Sequence, residues 1–559
     1  MSRRDALKLL FLARASGAGT RAAPYGAARV ASYLKKELGS SVSVAIENDI
    51  PGEGGESLAA RSIRLAPDVL GLSLYVWNRE ELLAAAAEAK AALPGIMVVA
   101  GGPEASADPQ GILSGSAVDY VVKGEGELAM LELCQELLAS GRAGPQPIRA
   151  RAMPDLSVLP SPWLDGTLDP ARYGGAALEL TRGCPYRCAF CYESKGDARL
   201  RRFTLEGVRA ELARLQEAGV EEVFVLDPTF NADNARMEEA VRAMRAAGPD
   251  LRYYVELRGE LVDRKQARLL ASLDLSAQIG LQSSDPAVLA LVNRKFEPAR
   301  FSKALRALEE EGVLYGLDII YGLPGDSLAG FKRSVDYALA LGPNHLDLFR
   351  LALLPGTVLH DEAGRLGIQA DDGAPYLTRS LPGFSEADLD EAEAFAHAAE
   401  SFYNRGRAVM WFRPLTEALG KKPSAVIAAW RDWLKRGGGP NAKEALKGGE
   451  SLAHEAIEEL QLGFLREFCG GPRGAALADA ACQLVRVSGA WTRALAEGQS
   501  TRLELDWEPE ELLDYAPAGL REFAAEAERS RGAWLCRPAP RGPEFVRTPK
   551  AGLKGAGRS

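Results

Sequence analysis

Three cysteines lie close together in the segment Arg182-Gly183-Cys184-Pro185-Tyr186-Arg187-Cys188-Ala189-Phe190-Cys191. Soft thiolates at such short spacing bind zinc or an iron–sulfur cluster. A structural zinc site needs a fourth ligand nearby, yet the nearest other cysteine is Cys134 and the nearest histidine is His345. Three thiolates on a four-iron cluster leave one iron open to a substrate. Cys184, Cys188 and Cys191 therefore predict a [4Fe–4S] cluster, with zinc as the alternative occupant.

The cysteine segment follows the first of six apolar runs that alternate with helical patterns such as Leu205–Ala218 and Phe301–Glu311. Six consecutive βα-like units predict an α/β fold, a partial or full (β/α)6 barrel similar to a TIM barrel. Active sites of such barrels lie at the carboxyl ends of the strands, which is where the cysteines stand. The predicted strands are Ala177–Leu180, Glu222–Leu226, Tyr253–Leu257, Ala277–Leu281, Leu317–Tyr321 and Leu346–Leu351.

The Cx3Cx2C spacing, with the aromatic Phe190 before the last cysteine, resembles the radical SAM superfamily. The resemblance implies that the amino and carboxylate groups of S-adenosylmethionine (SAM) chelate the open iron. It also implies that an electron from the reduced cluster cleaves SAM into methionine and a 5′-deoxyadenosyl radical. The cofactors supply this chemistry, and the protein positions them and excludes water.

Further segments match the family where the predicted strands end, among them Asp227-Pro228-Thr229-Phe230-Asn231 after the second strand. The resemblance implies polar contacts to the methionyl end of SAM after the third strand and contacts to adenine after the fifth. Two alternatives stay open: Gly322 and Gly325 could serve only a tight turn, and Glu256 and Arg258 could form a solvated pair. The implied SAM-binding residues are Phe190, Glu256, Arg258, Gln282, Ser283, Arg294, Tyr321, Gly322 and Pro324.

A second α/β unit precedes the barrel. Near-continuous apolar strands separated by helical patterns, such as Ala27–Leu38 and Glu80–Leu93, predict a doubly wound parallel sheet that is covered on both faces. A Gly-x-Gly-x-x-Gly turn after the first strand is absent, which argues against a dinucleotide site. The predicted strands are Leu7–Ala13, Val42–Ile46, Val69–Leu74, Ile96–Ala100 and Tyr120–Val122.

This unit resembles the cobalamin (B12)-binding domain that precedes some radical SAM barrels. The resemblance implies that Ser73, Gly101 and Gly102 border the nucleotide tail of cobalamin, and that Leu74, Tyr75 and Trp77 lie under the corrin ring. Glycines let a bulky tail approach the sheet. Core packing is the alternative for Tyr75 and Trp77. The implied cobalamin-binding residues are Tyr25, Gly26, Ser73, Leu74, Tyr75, Trp77, Gly101, Gly102, Pro103, Glu104, Gly124, Glu125 and Glu127.

The chain departs from many cobalamin proteins in one respect. The family often supplies a histidine from a DxHxxG motif as the lower cobalt ligand, but residues 1–344 contain no histidine. An axial ligand tunes the electronics of a bound metal, and loss of a strong donor favours reduced, nucleophilic cobalt. This departure fits a methyl carrier better than a source of radicals by homolysis.

The chain of 559 residues divides into five predicted segments. Residues 1–140 form the cobalamin-binding domain, and residues 173–375 form the radical SAM barrel. The segment 141–172 is rich in Pro and Gly and is predicted to be a linker. Residues 376–536 are predicted to form a helical domain that opens with a capping box at Ser385. Residues 537–559 are predicted to be a disordered tail.

Composition restricts the partners and the compartment. The net charge of −9 argues against nucleic acid, and no apolar run approaches the roughly 18 residues that cross a membrane. Seven cysteines, an odd number, predict a reducing, cytoplasmic location rather than a disulfide framework. Ser2-Arg3-Arg4-Asp5-Ala6-Leu7-Lys8 resembles a twin-arginine export signal, but we favour a first strand at Leu7–Ala13 because Lys8 interrupts the apolar run.

The leading hypothesis is a cobalamin-dependent radical SAM enzyme that methylates an unactivated carbon. The expected partners are a small-molecule or peptide substrate and a one-electron reductant such as flavodoxin or ferredoxin. A cyclase or oxidoreductase with the same cofactors and a non-catalytic cobalamin or redox sensor are the alternatives. A methylthiotransferase would need a second cysteine triplet. Two interpretations stay open for the three cysteines Cys469, Cys482 and Cys536. They are expected either to be ordinary buried thiols or to form a further metal site.

Overall fold

The amino-terminal part of the chain forms a six-stranded parallel sheet in the order β2-β1-β3-β4-β5-β6. Alternate residues of β1 point to opposite faces. Leu10 and Leu12 join one hydrophobic cluster, and Leu9 and Phe11 join another. This confirms the doubly wound sheet. The strands are β1 Leu7–Arg14, β2 Val42–Asp49, β3 Val69–Ser73, β4 Met97–Gly101, β5 Tyr120–Lys123 and β6 Ile148–Ala150; the helices are α1 Tyr25–Leu38, α2 Leu58–Leu65, α3 Arg79–Ala92, α4 Pro103–Ala107, α5 Pro109–Gly115 and α6 Glu127–Ser140.

This computed structural model describes residues 6–152, 154–195, 198–470 and 474–548. The first residues of the segment that resembles an export signal, 2–5, lie outside the described residues. From Leu7 onward the chain forms β1, which pairs with β2 and β3 in the middle of the sheet.

The segment predicted as a linker, 141–172, contributes to both domains, so that prediction was wrong. Its strand β6 extends the first sheet in parallel with β5. Trp163 is buried, and its indole nitrogen donates to the Ala177 carbonyl oxygen at 2.9 Å. The high Pro and Gly content concealed a three-residue strand and a turn that carries this tryptophan into the core.

The central part of the chain forms a second six-stranded parallel sheet in the order β14-β13-β12-β11-β10-β7. Because β7 and β14 stay at the edges, the barrel is partial, as the fold prediction allowed. The strands of this sheet are β7 Gly175–Leu178, β10 Glu222–Val225, β11 Arg252–Leu257, β12 Leu275–Gln282, β13 Leu314–Tyr321 and β14 His345–Arg350. Two short strands, β8 Thr181–Arg182 and β9 Arg201–Arg202, pair with each other in a separate antiparallel sheet. The helices are α7 Leu205–Glu217, α8 Asn234–Ala247, α9 Arg264–Leu270, α10 Pro286–Leu291, α11 Pro298–Glu310 and α12 Leu328–Ala340.

The loop after β1 packs against the β7 edge of the partial barrel. A Cβ atom on Gly175 would lie 2.5 Å from the backbone nitrogen of Thr20, closer than non-bonded atoms approach. Glycine at position 175 is therefore what lets the backbones of the two domains meet.

The carboxyl-terminal region is mainly helical, as predicted, but it also holds a three-stranded antiparallel sheet in the order β17-β18-β19. The helices are α13 Val358–Asp361, α14 Ala363–Leu366, α15 Glu386–Ala399, α16 Phe412–Leu419, α17 Pro423–Lys435, α18 Ala442–Ala445, α19 His454–Phe468, α20 Ala475–Glu497, α21 Pro509–Asp514 and α22 Leu520–Glu526; the strands are β15 Gln369–Ala370, β16 Thr378–Ser380, β17 Thr501–Leu505, β18 Gly532–Arg537 and β19 Glu544–Thr548.

The prediction of disorder from residue 537 was wrong for residues 537–548, because β18 ends at Arg537 and β19 pairs with it in an antiparallel register. Residues 549–559 lie outside the described residues. Composition alone missed the strand because its apolar residues, Phe545 and Val546, are few. Phe545 stacks on Trp491 with the ring centroids 5.8 Å apart.

Helix α15 covers the β14 edge of the barrel. Its predicted capping box is confirmed, since the Ser385 side chain accepts from Asp388 and the Asp388 side chain accepts from the Ser385 backbone. Arg350 at the end of β14 donates to Glu393 of α15 at 2.8 Å. Within the described part of the chain, no helix is both long and apolar enough to cross a membrane.

Trp163 tests whether segment 141–172 is part of the core. We expect Trp163→Ala to lower the free energy of unfolding by about 3–5 kcal/mol, because it leaves a cavity and orphans the Ala177 carbonyl. Leu164→Ala is the matched control, since that side chain is exposed, and a change of no more than about 0.5 kcal/mol is expected. Urea unfolding followed by circular dichroism measures both. Equal, small effects of the two variants would contradict a structural role.

Candidate functional site

The cysteine segment forms a loop directly after β8, at the carboxyl end of the barrel strands. The Cys184 and Cys188 side chains are buried, and Cys191 is half-buried. Phe190 packs with its partly buried ring against the core. The loop therefore holds its thiols away from bulk solvent while its backbone remains at the barrel mouth.

A buried carboxylate fixes the start of this loop. Asp227, which follows β10, accepts hydrogen bonds from the backbone nitrogens of Leu180 and Thr181 at 2.8 and 3.0 Å and from the Thr181 hydroxyl at 2.6 Å. Burial raises the pKa of Asp227 to about 6, although the three donors oppose the shift. The sequence matched the segment after the second barrel strand to the family, and the structure assigns this anchoring contact to its first residue.

The rest of the loop is held from the α10 side of the barrel. The Ala189 nitrogen donates to the Val292 carbonyl oxygen at 3.0 Å, and the Asn293 side chain donates to the Arg187 carbonyl oxygen at 2.8 Å. Arg294 hydrogen-bonds the Cys188 side chain and the Gly280 carbonyl oxygen. Arg294, a predicted SAM contact, thus lies beside the cysteines.

The three thiols of this loop lie near one another. Cys191 interacts electrostatically with Cys188 and Cys184, so the three lie near one another. Burial raises the pKa of Cys191 to about 12, and bound metal ions reverse such a shift by stabilising thiolates. Among the described residues, no three or more His, Cys, Asp or Glu side chains converge as a single-ion site would require.

Glu256 is an exposed carboxyl group at the carboxyl end of the barrel strands. It lies near the end of β11 and is exposed to a cavity of about 790 Å³ between the two domains. The surrounding protein replaces much of the bulk solvent, and this desolvation raises the pKa of Glu256 to about 7, with Asp318 and Glu193 adding to the shift. A cation bound here would restore the ionised carboxylate.

Arg258 is paired rather than free. Its guanidinium lies over the Tyr186 ring, 3.9 Å from the centroid, and its Nε donates to Glu260 at 2.8 Å. Asn231 exchanges hydrogen bonds with the Arg258 backbone at 2.9 and 3.1 Å. The alternative of a solvated Glu256–Arg258 pair is therefore wrong, because Arg258 pairs with Glu260.

The remaining predicted SAM contacts fall into two groups. Gln282 has a buried Oε1 without a hydrogen-bond partner, so it can accept from a ligand. Ser283 is buried against Ser334, and Tyr321 is buried against Phe331 with the ring centroids 5.1 Å apart. Gly322 and Pro324 are also buried in the turn after β13. Ser283, Tyr321 and Pro324 therefore shape the strand ends with side chains that point into the fold.

A cleft opens at the carboxyl ends of β3, β4 and β5. It has a volume of about 180 Å³. Gly102 lets the floor close tightly, because its φ is +97° and a Cβ atom would lie 2.5 Å from the Leu74 carbonyl oxygen. Gly101 has only ordinary contacts, at 3.9 and 4.0 Å, for an added Cβ. The cleft brings together the predicted residues Gly26, Ser73, Tyr75, Gly101, Gly102, Gly124, Glu125 and Glu127.

Tyr75 and Trp77 form an aromatic platform beside the cleft. Their rings stack with centroids 4.5 Å apart, and the Trp77 indole donates to the Arg14 carbonyl oxygen at 3.0 Å. Trp77 is 48% exposed, so core packing does not explain it. The platform borders the same 790 Å³ cavity as Glu256. Leu74, by contrast, has its side chain in the core.

Several predicted cobalamin contacts have side chains that are already engaged. Glu104 accepts from Arg79 at 3.0 Å and from the Tyr376 hydroxyl at 2.6 Å. Tyr25 hydrogen-bonds Arg29. Pro103 begins α4 and borders a third cavity, of about 660 Å³, at the same domain junction.

Sequence reasoning missed the charged cluster that joins the domains. Arg182 pairs with Glu179 at 3.0 Å, Glu127 at 2.9 Å and Glu125 at 3.1 Å. Arg29 of α1 lies 3.3 Å from Glu179. Burial opposes ionisation, but Arg182 and Arg29 hold the pKa of the Glu179 carboxyl below its usual value. The available signal was a glutamate at the end of an apolar strand, which needs a partner when buried.

Two family models match the chain. A B12 binding domain model matches residues 14–134, and a radical SAM superfamily model matches residues 178–338. These ranges contain the cleft and the cysteine loop, respectively. Radical SAM domains bind a [4Fe–4S] cluster and SAM, and B12-binding domains bind cobalamin. The thiol donor set, the orphaned Gln282 acceptor and the glycine-floored cleft are compatible with these three cofactors.

Two curated relatives of the chain are methyltransferases. The chain is 30% identical over 372 residues to the cobalamin-dependent radical SAM methyltransferase TokK of Streptomyces tokunonensis, covering 60% of this chain and 54% of that protein. It is 31% identical over 329 residues to 2-(S-pantetheinyl)-carbapenam-3-carboxylate methyltransferase of Streptantibioticus cattleyicolor. That match covers 53% of this chain and 48% of that protein. The chain spans about half the length of the curated relatives it matches.

Solved structures share the fold. TsrM from Kitasatospora setae, solved with tryptophan substrate and a SAM analog, gives a TM-score of 0.55 at 20% identity over 66% of this chain and 79% of that chain. OxsB, solved with aqua-cobalamin and SAM, gives a TM-score of 0.58 at 13% identity, over 83% of this chain and 79% of that chain. The two family models match in the same order as the two sheets, so the chain contains a B12-binding domain at residues 14–134 followed by a radical SAM domain at residues 178–338.

Proposed function

We propose that the protein is a cobalamin-dependent radical SAM methyltransferase that methylates an unactivated carbon of a small-molecule or peptide substrate. The observation that carries the proposal is the 790 Å³ cavity, because Tyr75 and Trp77 of the B12-binding domain and Glu256 of the barrel border the same space. A substrate carbon there would face both cofactors. The methyltransferase names of the curated relatives support the same reaction.

When bound, the cluster supplies the electron that splits SAM, and cobalamin carries the methyl group. Cys184, Cys188 and Cys191 would hold the cluster, with Asp227 fixing the loop that presents them. The Glu256 carboxylate would attract the positively charged SAM, and Gln282 would accept a hydrogen bond from it.

For cobalamin we assign the nucleotide tail to the cleft and the corrin ring to the aromatic platform. Ser73, Gly101 and Gly102 would border the tail, because they line the cleft and Gly101 leaves room above the sheet. Tyr75 and Trp77 would face the corrin. Since residues 1–344 lack histidine, this domain offers no imidazole to the lower cobalt face, which favours a methyl carrier.

The cavity wall offers a substrate apolar and hydrogen-bonding contacts. Phe224 and Leu226 of the β10 side supply apolar surface, and the Tyr254 hydroxyl donates to Glu222 at 3.0 Å. Asn48 is buried, and its Oδ1 has no hydrogen-bond partner. These groups would orient the substrate and keep water from the reacting carbon.

We further propose a cytoplasmic enzyme that receives its electrons from a one-electron reductant such as flavodoxin or ferredoxin. All seven cysteines are free thiols in the structure, which supports a reducing compartment. Cys469 and Cys482 are buried next to one another, and burial raises the pKa of each to about 11, as expected of ordinary core thiols.

The reaction class can be tested without knowing the substrate. Anaerobically reconstituted protein with cobalamin, SAM and a low-potential reductant is expected to form both 5′-deoxyadenosine and S-adenosylhomocysteine, because one SAM yields the radical and another donates its methyl group. Liquid chromatography with mass detection measures both. Formation of 5′-deoxyadenosine alone would favour the cyclase or oxidoreductase. Absence of both products would leave the non-catalytic sensor as the remaining alternative.

Matched cysteine variants provide the control for this experiment. The triple variant Cys184→Ala/Cys188→Ala/Cys191→Ala should lose its iron. It should also form no 5′-deoxyadenosine and no longer turn over. Cys469→Ala/Cys482→Ala/Cys536→Ala should keep about four irons per chain and form both products. Iron loss in the second variant would show that these thiols form a further metal site.

Gly101 tests the cobalamin cleft. We expect Gly101→Leu to weaken cobalamin binding by about tenfold or more, because its side chain would enter the cleft from a backbone position that accepts a Cβ. Spectrophotometric titration with hydroxocobalamin measures the affinity, and iron content should stay unchanged. Gly95→Leu is the control, since an added Cβ there meets nothing within 4 Å. Equal cobalamin affinities of the two variants would contradict the assignment of the nucleotide tail to this cleft.

Glu256 tests the SAM assignment through pH. The carboxyl group is neutral below its pKa of about 7 and anionic above it, so SAM, a cation, should bind more tightly as the pH rises from about 6 to about 8. Glu256→Gln should bind SAM more weakly and lose most of this dependence. Equilibrium dialysis with labelled SAM on the reconstituted protein measures both. An unchanged pH profile in the variant would exclude Glu256 from the SAM site.

A further inference from the structure

The loop that carries the three cysteines, from Arg182 to Tyr192, is called the cluster loop below. It contacts the B12-binding domain at both of its ends. Arg182 stands two residues before the first cysteine, and Tyr192 directly follows the last. Each contacts the amino-terminal domain rather than only the barrel. The segment between them carries all three thiols, so a movement of that domain reaches the cluster from two sides.

Arg182 makes the first contact with the segment Gly124–Glu127, which follows β5. Its Nη1 atom lies 3.1 Å from Glu125 and 2.9 Å from Glu127, while its Nε and Nη2 atoms donate to Glu179 at 3.0 and 3.1 Å. Glu127 and Arg182 are largely withdrawn from solvent. Because ion pairs in such surroundings are little screened, Arg182 links the barrel to this segment firmly.

Tyr192 makes the second contact through α4. Its hydroxyl hydrogen-bonds Ser106, and the Ser106 Oγ atom accepts from the Gly124 backbone nitrogen at 2.9 Å. An added Cβ on Gly356 would lie 3.2 Å from the Tyr192 ring and 3.3 Å from Ala107, so the ring is enclosed between the two domains. The second contact therefore ends at the same segment as the first.

The segment Gly124–Glu127 is also a wall of the cobalamin cleft. Gly124, Glu125, Gly126 and Glu127 all line the 180 Å³ cleft, and so does Arg182 itself. A ligand that enters the cleft contacts one side of the segment Gly124–Glu127. On the other side, Arg182 of the cluster loop contacts the same segment directly, and Tyr192 contacts it through Ser106.

We propose that the segment Gly124–Glu127 couples cobalamin binding to the geometry of the cluster loop, with Arg182 and Tyr192 as its positioning residues. Two ligands that order the same segment bind cooperatively, and the coupling is reciprocal. Cobalamin then binds more tightly to the protein that holds its cluster, and a filled cleft sets the arrangement in which the cluster loop presents its open iron. The proposal goes beyond methyl transfer and rests on the two cofactors alone.

The test is a binding cycle with hydroxocobalamin as the probe. The dissociation constant is measured by equilibrium dialysis on the full-length protein with and without its reconstituted cluster. We expect the wild-type protein to bind cobalamin about fivefold or more tightly with the cluster present. Arg182→Gln and Tyr192→Phe should each reduce this ratio towards one, and Arg182→Lys should retain part of it. A wild-type ratio of one, or an undiminished ratio in both variants, would overturn the proposal.

Arg149→Gln is the matched control. Arg149 is at least as buried as Arg182, with 4% against 14% of the side chain exposed. It pairs with Glu136 at 2.9 Å inside the amino-terminal domain, so its loss should leave the ratio unchanged. If Arg182→Gln does not fold, Tyr192→Phe decides, because it removes one hydroxyl group only.

A spectroscopic measurement separates coupling from simple destabilisation. The electron paramagnetic resonance signal of the reduced cluster should change when cobalamin fills the cleft of the wild-type protein. The same addition should leave the signal of Tyr192→Phe unchanged at equal iron content. A signal that responds equally in both proteins would contradict the role of Tyr192. Neither measurement uses a substrate, so a failed methylation assay leaves this test intact.

Discussion

The arrangement of both domains depends on one carboxylate that is largely withdrawn from solvent, Glu179, which two guanidinium groups share. Arg29 approaches it from the B12-binding domain at 3.3 Å, and Arg182 pairs with it from within the barrel. Removal of one partner from a buried ion pair costs about 3–5 kcal/mol, because the remaining charge stays desolvated. Such a junction tolerates few alternative dockings. It therefore fixes the distance and orientation between the cleft and the cluster loop.

Polar groups around the site divide into those that hold the protein together and those left for ligands. Asp227 accepts from Leu180 and Thr181, Asn231 bonds the Arg258 backbone, and the Arg258 side chain donates to Glu260. Glu256 and Gln282 retain unsatisfied capacity at the barrel mouth. A preorganised site has this division, because rigid supports keep the free groups in place before a ligand arrives.

Local patterns in the sequence predicted most of the framework and singled out the three cysteines of the loop after β8. Strands buried on both faces appear as continuous apolar runs, and a three-cysteine spacing is a local signal, so β1, β3 and the thiols were accessible. The partners of Glu179 were not, because Arg29 lies on another domain and no local pattern links the two. Strand β6 and Trp163 were hidden by their Pro- and Gly-rich surroundings, whose composition says nothing about long-range packing.

The bare backbone at Gly175, against which Thr20 rests, has a consequence for how such proteins diversify. Any side chain there would push the two domains apart, so neither half of the chain can be exchanged for a foreign one without a matching surface at this point. Recombination between related genes would then succeed only when both halves travel together.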